Sequence, residues 1–480
     1  MRFSVGVSGL ATRRYRRIAA IALVSGAFAL SVPSAAAARP SVVLDEVSHD
    51  PFTNPGYEHS SEVEPDVAAH GRTVVATYQV GRAAEGGAVA IGVAVSTDDG
   101  RTWSDRILQG SSAASGGRYG RASDPSVSYG AGGNGWLVGF LGVTVRGLFQ
   151  IPTHSAVLVA RSEGGGSFSA PVVVARAPRG ILFDKPWVAC DDHRTSPYFG
   201  RCYALWDELG RGVEGVVLAS TSLDGGRHWS APVRTTDPAR GVGVIPVVRS
   251  DGSVTVVYLN TQDPFHPAIA DFETVNGGRS WGGSSMISNV RRSDRELPVR
   301  DPGFPSAAVG ADGTIHVAWS DCRFEPSCAL DDIVVSTSSD GQSWTRPAIA
   351  ARADPATATS LVTPGIAVRS RGMGSREAIV FYAVGGTGCS EFSPPSSCSV
   401  TVGYVASRLG GWGEPVTIGW RMRPSWFPGT RAGNMWGDYI AATFLHNGRV
   451  STVLPLARRP SRALDVVMYA PRGGLHMLDR

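Results

Sequence analysis

Five windows along the chain close on an aromatic residue and draw on the same small vocabulary. They are STDDGRTW (96–103), RSEGGGSF (161–168), SLDGGRHW (222–229), TVNGGRSW (274–281) and TSSDGQSW (337–344), with a shortened SRLGGW at 407–412. Their last residues, 103, 168, 229, 281, 344 and 412, lie 65, 61, 52, 63 and 68 positions apart. Recurrence at this period restricts the fold severely. One supersecondary unit is laid down repeatedly, and each copy buries its apolar face against its neighbours.

A second phrase recurs between these windows: a proline, a short apolar run, a turn and another apolar run. It reads EPDVAAHGRTVVATYQ (64–79), DPSVSYGAGGNGWLVGF (124–140) and KPWVACDDHRTSPYFGRCYALWD (185–207). It continues as IPVVRSDGSVTVVYLN (245–260), FPSAAVGADGTIHVAWSD (304–321), PGIAVRSRGMGSREAIVFYA (364–383) and GDYIAATFLHNGRVSTVLPLA (437–457). Turn signals such as HGR, SDG, ADG and HNG divide runs of β-formers, and no comparable window carries helical periodicity with caps. Each unit is therefore expected to be a four-stranded antiparallel meander, with the window as its third turn.

Units of about 60 residues arranged around an axis make an all-β fold, a β-propeller, with seven blades favoured and six as the alternative. The seventh unit supplies three strands, ending at LDVVMYA (464–470), and an unpaired run, SVVLDEV, stands at 41–47. That N-terminal strand is expected to complete the C-terminal blade and hide its edge. Residues 39–480 then form a single domain.

The window itself is masonry. Its glycine tolerates φ > 0, its Asp or Asn bonds backbone amides two residues on, and its aromatic ring buries a large apolar face. The structural set is Ser96, Asp98, Gly100 and Trp103; Asp224, Gly226 and Trp229; Asn276, Gly278 and Trp281; Gly341 and Trp344. A catalytic centre would not be copied five times with its acid varied to Glu, Asn and Ser, so Asp98 and Asp99 are scaffold.

Residues 1–38 have the form of an export signal. Arg13, Arg14, Arg16 and Arg17 precede an apolar run at 18–30, and Ala36-Ala37-Ala38 offers a small-residue cleavage site. The run is shorter than the about 20 apolar residues a membrane span needs. The expected destination is secretion, by a Sec or Tat route, with no membrane span after cleavage. The formal net charge is +4, and removing the five arginines of 1–38, which hold no acid, leaves −1. Bulk charge therefore gives nucleic-acid binding no support. The six cysteines fall in three close pairs of an exported chain, which predicts Cys190–Cys202, Cys322–Cys328 and Cys389–Cys398. None has the spacing of a zinc site. No cofactor is expected, although acidic loops leave Ca²⁺ open, and no spaced DxDxDG loop occurs.

The windows match the Asp box, Ser-x-Asp-x-Gly-x-Thr-Trp, and the stretch 96–103 fits at every specified position. In this the chain resembles the sialidase superfamily, and phrases such as DKPWVACD, HVAWSDCR and WGDY resemble secreted bacterial exo-α-sialidase-like proteins. The resemblance implies a six-bladed propeller, whereas the strand count here favours seven. It also implies a glycan or glycoconjugate ligand, handled by a monomer.

Antiparallel connectivity places the windows on one rim and the loops 80–89, 141–154, 207–214, 260–267, 320–331, 384–398 and 457–463 on the other, where function is expected. Asp124, Asp184 and Asp301 precede first strands there; Asp207, Glu208, Asp321 and Arg323 follow second strands; Asp438 and Tyr439 open the last unit. A sialidase-type mechanism needs three arginines for the substrate carboxylate, a tyrosine nucleophile beside an acid, and an aspartic proton donor. The resemblance thus points to Tyr439, Asp438, Glu208 and Asp321 as catalytic, and to Arg82, Arg323, Asp184, Asp301 and Asp207 as substrate-binding. Glu208 would serve Tyr439 only if units three and seven face each other across the channel. One departure stands out: the family's Arg-Ile-Pro motif is absent, and the nearest string is Phe149-Gln150-Ile151-Pro152. Three functions stay open: glycoside hydrolysis, glycan or surface-protein binding without cleavage, and a scaffold for protein contact.

Overall fold

In place of a long helix, the repeated phrases build strands, because alternating and fully apolar runs of Val, Ile and Ala suit pleated, half-buried surfaces. The computed structural model describes residues 42–130, 135–147, 151–210, 212–371, 374–390, 397–408 and 411–477. Residues 1–38, expected to be an export signal, and the Phe149-Gln150 pair lie outside them. Among the described residues the chain is all-β, and helical turns are confined to three short 3-10 segments at Ala113–Ser115, Pro326–Cys328 and Pro424–Trp426.

The strands fall into successive antiparallel groups. The first is Glu58–His70, Thr73–Arg82, Ala88–Ser96 and Ser104–Ile107; the second is Arg121–Gly130, Gly135–Arg146, Ile151–Ser162 and Val172–Arg176. The third, Leu182–Cys190, Cys202–Leu209 and Val216–Ser222, is extended by a bridge from Ala219 to Val233. The fourth runs Gly241–Val248, Val254–Asn260, Ala268–Thr274 and Ser285–Asn289. The fifth is Ser306–Val309, Ile315–Asp321, Asp332–Ser338 and Ala348–Ala351, and the sixth is Thr359–Arg371, Gly374–Gly385, Ser399–Arg408 and Val416–Met422. In the last group Ala442–Phe444 pairs with Val450–Thr452, Leu454–Ala457 pairs with Val466–Pro471, and Leu44–Glu46 lies antiparallel on Val466–Pro471.

Packing follows the same succession. Each group's first strand touches the next group's first strand, and Ala442–Phe444 touches both Thr359–Arg371 and Glu58–His70. Apolar clusters fill the gaps between neighbouring groups. Val75, Ile91 and Val93 meet Val127, Trp136 and Val138, and further on Val247, Val257 and Leu259 meet Val317 and Trp319. A cluster of the same kind joins Val74, Ala76 and Tyr78 of the first group to Leu445, Val453 and Met468 of the last. The cysteines pair as Cys190–Cys202, Cys322–Cys328 and Cys389–Cys398.

Four of the window turns share one hydrogen-bond pattern. Ser96 Oγ donates to Asp98 Oδ1 (2.8 Å) and accepts from Gly100 N (2.9 Å), while Asp98 accepts from Thr102 N (2.9 Å) and Thr102 Oγ1 (2.7 Å). Ser222 and Asp224 repeat this with Gly226 and His228, as do Thr274 and Asn276 with Gly278 and Ser280. Ser338 and Asp340 repeat it with Gly341 and Ser343. Gly100 sits at φ 73°, where a side chain would be strained. Partial burial works against the Asp98 carboxylate, but the bonds from Thr102, Ser96 and Arg101 hold it down to about 2. These turns lie at the end of each group where strands one and two also turn, since Asp99 N donates to Arg72 O at 3.0 Å. The starts of the first strands are at the opposite end.

Candidate functional site

At that opposite end the first strands share an irregularity. Their pairing with the second strand slips between Val63 and Asp66, Ser123 and Ser126, Asp184 and Trp187, Val242 and Ile245, and Val362 and Gly365. Each slip holds a residue in the left-handed region: Glu64 (φ 55°), Asp124 (49°), Lys185 (45°), Gly243 (71°) and Thr363 (53°). The four that are not glycine all precede a proline. Such conformations cost on the order of 1–3 kcal/mol each and persist only where the surroundings over-determine them. The bulge re-aims the side chain. Here it turns Glu64, Asp124 and Lys185 into one cluster.

Lys185 is the cluster's hub. Its Nζ lies 2.8 Å from Asp124 Oδ1, 3.0 Å from Asp438 Oδ2 and 3.4 Å from Asp184 Oδ1. Arg300 grips Asp438 with a fork, Nε to Oδ1 at 2.6 Å and Nη2 to Oδ2 at 2.5 Å. Glu64 Oε1 accepts from Asp438 N at 3.3 Å, and Gln79 Nε2 donates to Glu64 Oε2. Arg82 Nη1 donates to Gln79 Oε1 (3.4 Å) and to Gly87 O (2.9 Å). Asp207 is the cross-strand partner of Asp184, and among the described residues its two carboxyl oxygens have no hydrogen-bond partner.

Five carboxyl groups, Glu64, Asp124, Asp184, Asp207 and Asp438, thus face three cations, Lys185, Arg82 and Arg300. The excess is absorbed as protons. Burial, then the charge of Asp124, pushes Glu64 up to about 8. Burial also raises Asp184, and raises Asp207 well above its ordinary range. Asp438 goes the other way: burial opposes its charge, yet Lys185 and Arg300 hold it down to about 2. Desolvation opposes the Lys185 ammonium, and Asp124, Asp184 and Asp438 more than offset it. One hydrogen-bonded cluster therefore carries a protonated and an ionised carboxyl side by side at neutral pH. Its windows to solvent are Asp184 and Arg300, whose side chains are 26% and 31% exposed.

A cavity of about 160 Å³ is lined by first-strand residues, including Asp66, Val127, Trp187, Ile245 and Ile366, and by Tyr439, which precedes Ala442–Phe444. The Tyr439 hydroxyl donates to Pro125 O (2.8 Å), its ring meets Trp187 edge-on at 5.1 Å, and burial pushes the phenol well up. That is the opposite of an activated nucleophile. Glu208 does not reach it. Successive side chains on a strand point to opposite faces, so Glu208 turns away from Asp207 and takes Arg234 at 3.3 Å.

Of the other residues expected at the site, Asp184, Asp207, Asp124, Asp438 and Arg82 meet in the cluster. Asp321 instead binds its own neighbours, Arg323 Nε (2.9 Å to Oδ1) and Trp319 Nε1 (3.0 Å to Oδ2), and Asp301 pairs with Arg292 (2.5 Å). Glu64, Lys185, Gln79 and Arg300 were not anticipated. The Glu64-Pro65, Asp124-Pro125 and Lys185-Pro186 alignment across the repeats was a usable signal for two of them; Arg300 lies between repeats and has none. Among the described residues no group of three or more His, Cys, Asp and Glu is arranged to hold a metal ion, and the Lys185 ammonium fills the middle of the carboxylates.

No family model matches the chain, and no curated protein does. Solved structures similar to it include a Hadza microbial sialidase, at 16% identity and TM-score 0.45 over 68% of this chain and 64% of that one. An α-L-arabinofuranosidase of Fusarium graminearum in complex with arabinobiose has 12% identity and TM-score 0.43, over 76% and 98%. A polysaccharide lyase, an ulvan lyase, has 12% identity and TM-score 0.46, over 86% and 94%. The chain thus spans about two thirds or less of the first of these. Likeness this shallow carries no assignment of a reaction.

Proposed function

We propose that this chain is a secreted, sialidase-like β-propeller of seven blades, closed by its N-terminal strand, which cleaves glycosidic bonds at the rim opposite its window turns. The succession of first-strand contacts that returns to Glu58–His70, and the pairing of Leu44–Glu46 with Val466–Pro471, support seven units rather than six. Three paired sets of cysteines fit an oxidising compartment, and no described helix is long and apolar enough to cross a membrane.

The observation that carries the catalytic reading is the geometry of the cluster, with the partly exposed Asp184 beside the Lys185–Asp438–Arg300 network. Burial pushes Asp184 up while the two cations hold Asp438 down, and environments that push titrations apart are how acid and base roles are divided. Asp184, pushed up by burial yet reachable from solvent, is the carboxyl assigned to protonate the leaving-group oxygen as the glycosidic bond breaks. Asp438, buried and held ionised between Lys185 and Arg300, positions those cations at the site rather than touching the anomeric carbon itself. Water then adds there, and its proton returns to Asp184. Arg300 Nη1, which has no hydrogen-bond partner among the described residues, is the donor best placed for an anionic or hydroxyl substituent of the sugar.

The test is a panel of fluorogenic sialosides, glucuronides and α-L-arabinofuranosides. Turnover of one member, with kcat lowered at least about 100-fold in Asp184→Asn and the fold intact, is expected. Full activity in that variant, or no turnover across the panel, would sink the reading. A second reading, glycan binding without cleavage, draws on the near-complete burial of Glu64, Asp124, Asp207 and Asp438, which is how a structural ion network also looks. Saturable binding lost in Arg300→Ala, without turnover, would favour it.

A further inference from the structure

A groove away from the carboxylate cluster has a different character. It runs between the outer strand Val416–Met422, the turn Pro424–Trp426 and the loop 458–465 that precedes Val466–Pro471. Two adjoining cavities, of about 480 and 320 Å³, share Arg421, Trp426 and Arg459 in their walls; Arg423 lines the first, and Trp420 and Arg458 the second.

The cations here are unspent. Arg421 Nη2 reaches only a hydroxyl, Ser399 Oγ at 3.2 Å, and among the described residues no carboxylate lies within ion-pair distance of Arg421, Arg423 or Arg459. All three are exposed. This contrasts with the carboxylate cluster, where Lys185 and Arg300 both hold carboxylates. Among the described residues Arg458 alone of the four has an ion-pair partner, Glu46 at 3.4 Å, and it also lies over Trp420 (5.9 Å) and Tyr469 (5.4 Å). The aromatic surfaces are rigidly held. Trp420 Nε1 donates to Ala457 O at 2.7 Å and its ring meets Tyr469 edge-on at 5.0 Å, while Trp426 packs on the apolar cluster that contains Phe427 and Trp436.

We infer that this groove is a binding subsite for an anionic oligosaccharide, with Arg421, Arg423 and Arg459 taking its carboxylate or sulfate groups and Trp420 and Trp426 stacking on sugar faces. Forked guanidinium donors suit planar carboxylates and sulfate oxygens, and flat indoles suit the apolar faces of pyranose rings. The near-zero charge of residues 39–480 leaves a local patch rather than a long-range field, which fits a short charged sugar better than a nucleic acid. The subsite stands independently of the reaction at the carboxylate cluster.

The experiment is calorimetric titration of the full chain with a heparin-derived hexasaccharide, hexagalacturonate, cellohexaose and a single-stranded oligonucleotide, at two salt concentrations. At least one of the two acidic sugars binds, more weakly at higher salt, and cellohexaose does not; whichever of the two binds better tells sulfate from carboxylate. The Arg421→Ala/Arg459→Ala double variant loses at least tenfold in affinity, Arg421→Lys/Arg459→Lys recovers part of it, and thermal unfolding of both matches the parent. Turnover of a small aryl glycoside is unchanged in the double variant, so this test succeeds or fails apart from the catalytic proposal. Equal binding of cellohexaose, binding of the oligonucleotide alone, no binding of either acidic sugar, or undiminished affinity in the double variant would each overturn the inference.

Discussion

Glu64 and Asp98 are both carboxylic acids in a β-rich chain, and their surroundings send them in opposite directions. Glu64 is buried against Asp124 and rises from 4.5 to about 8; Asp98, in a turn of converging donors, falls from 3.8 to about 2. A raised carboxyl contributes stability that is complete below its unfolded value and is lost as pH climbs through its folded value. Glu64 therefore weakens the fold between about pH 4.5 and 8, and Asp66, buried and raised to about 7, adds to this from about 3.8. Asp98 does the reverse and costs stability only as pH falls from about 3.8 through 2. The expected outcome is a melting temperature higher near pH 5 than near pH 8.5, with Glu64→Gln flattening that slope. Melting curves across pH check it, and an unchanged slope in Glu64→Gln would remove Glu64 from the account. Activity should likewise fail above about pH 8, once Glu64 ionises beside Asp438.

Among the elements, the window turns and the bulged first strands show how far the sequence could be read. The turns were legible because each is local: Ser96, Asp98, Gly100 and Thr102 bond one another within seven residues. Their service is mechanical, so Asp98→Ala should cost about 1–2 kcal/mol, the worth of a few partly exposed hydrogen bonds, without touching turnover. Denaturant titration beside an activity assay checks both halves. The cluster was only half legible. Asp124, Asp184 and Asp438 could be picked out as acids at strand starts, but the bulge that brings Glu64 and Lys185 alongside them is a backbone event marked only by the proline that follows each. Adjacent residues misled for a plain reason: Asp207 and Glu208 alternate across a strand, and Asp321 finds Arg323 two positions away before it can meet a side chain of another group.

Over the molecule as a whole, chain ends 420 residues apart share one sheet. Val47 N donates to Met468 O at 2.8 Å and Met468 N to Ser48 Oγ at 2.8 Å, while Tyr469 OH reaches Glu46 Oε2 at 3.1 Å. Removing residues 42–48 would bare the edge of Val466–Pro471 and leave Glu62 without the Ser48 hydroxyl at 3.1 Å. Such a truncation should melt at a lower temperature and self-associate more readily than the full chain; calorimetry with light scattering measures this, and identical behaviour would mean the seam holds without that strand.

Lys185 carries the chain's one side-chain amine, walled in by three carboxylates and 6% exposed. Apart from the terminal amine, an acylating reagent has a single address in this molecule, and that address opens only when the centre does. Its rate of labelling is therefore a clock for the opening of the carboxylate cluster, free of background from any other side-chain amine.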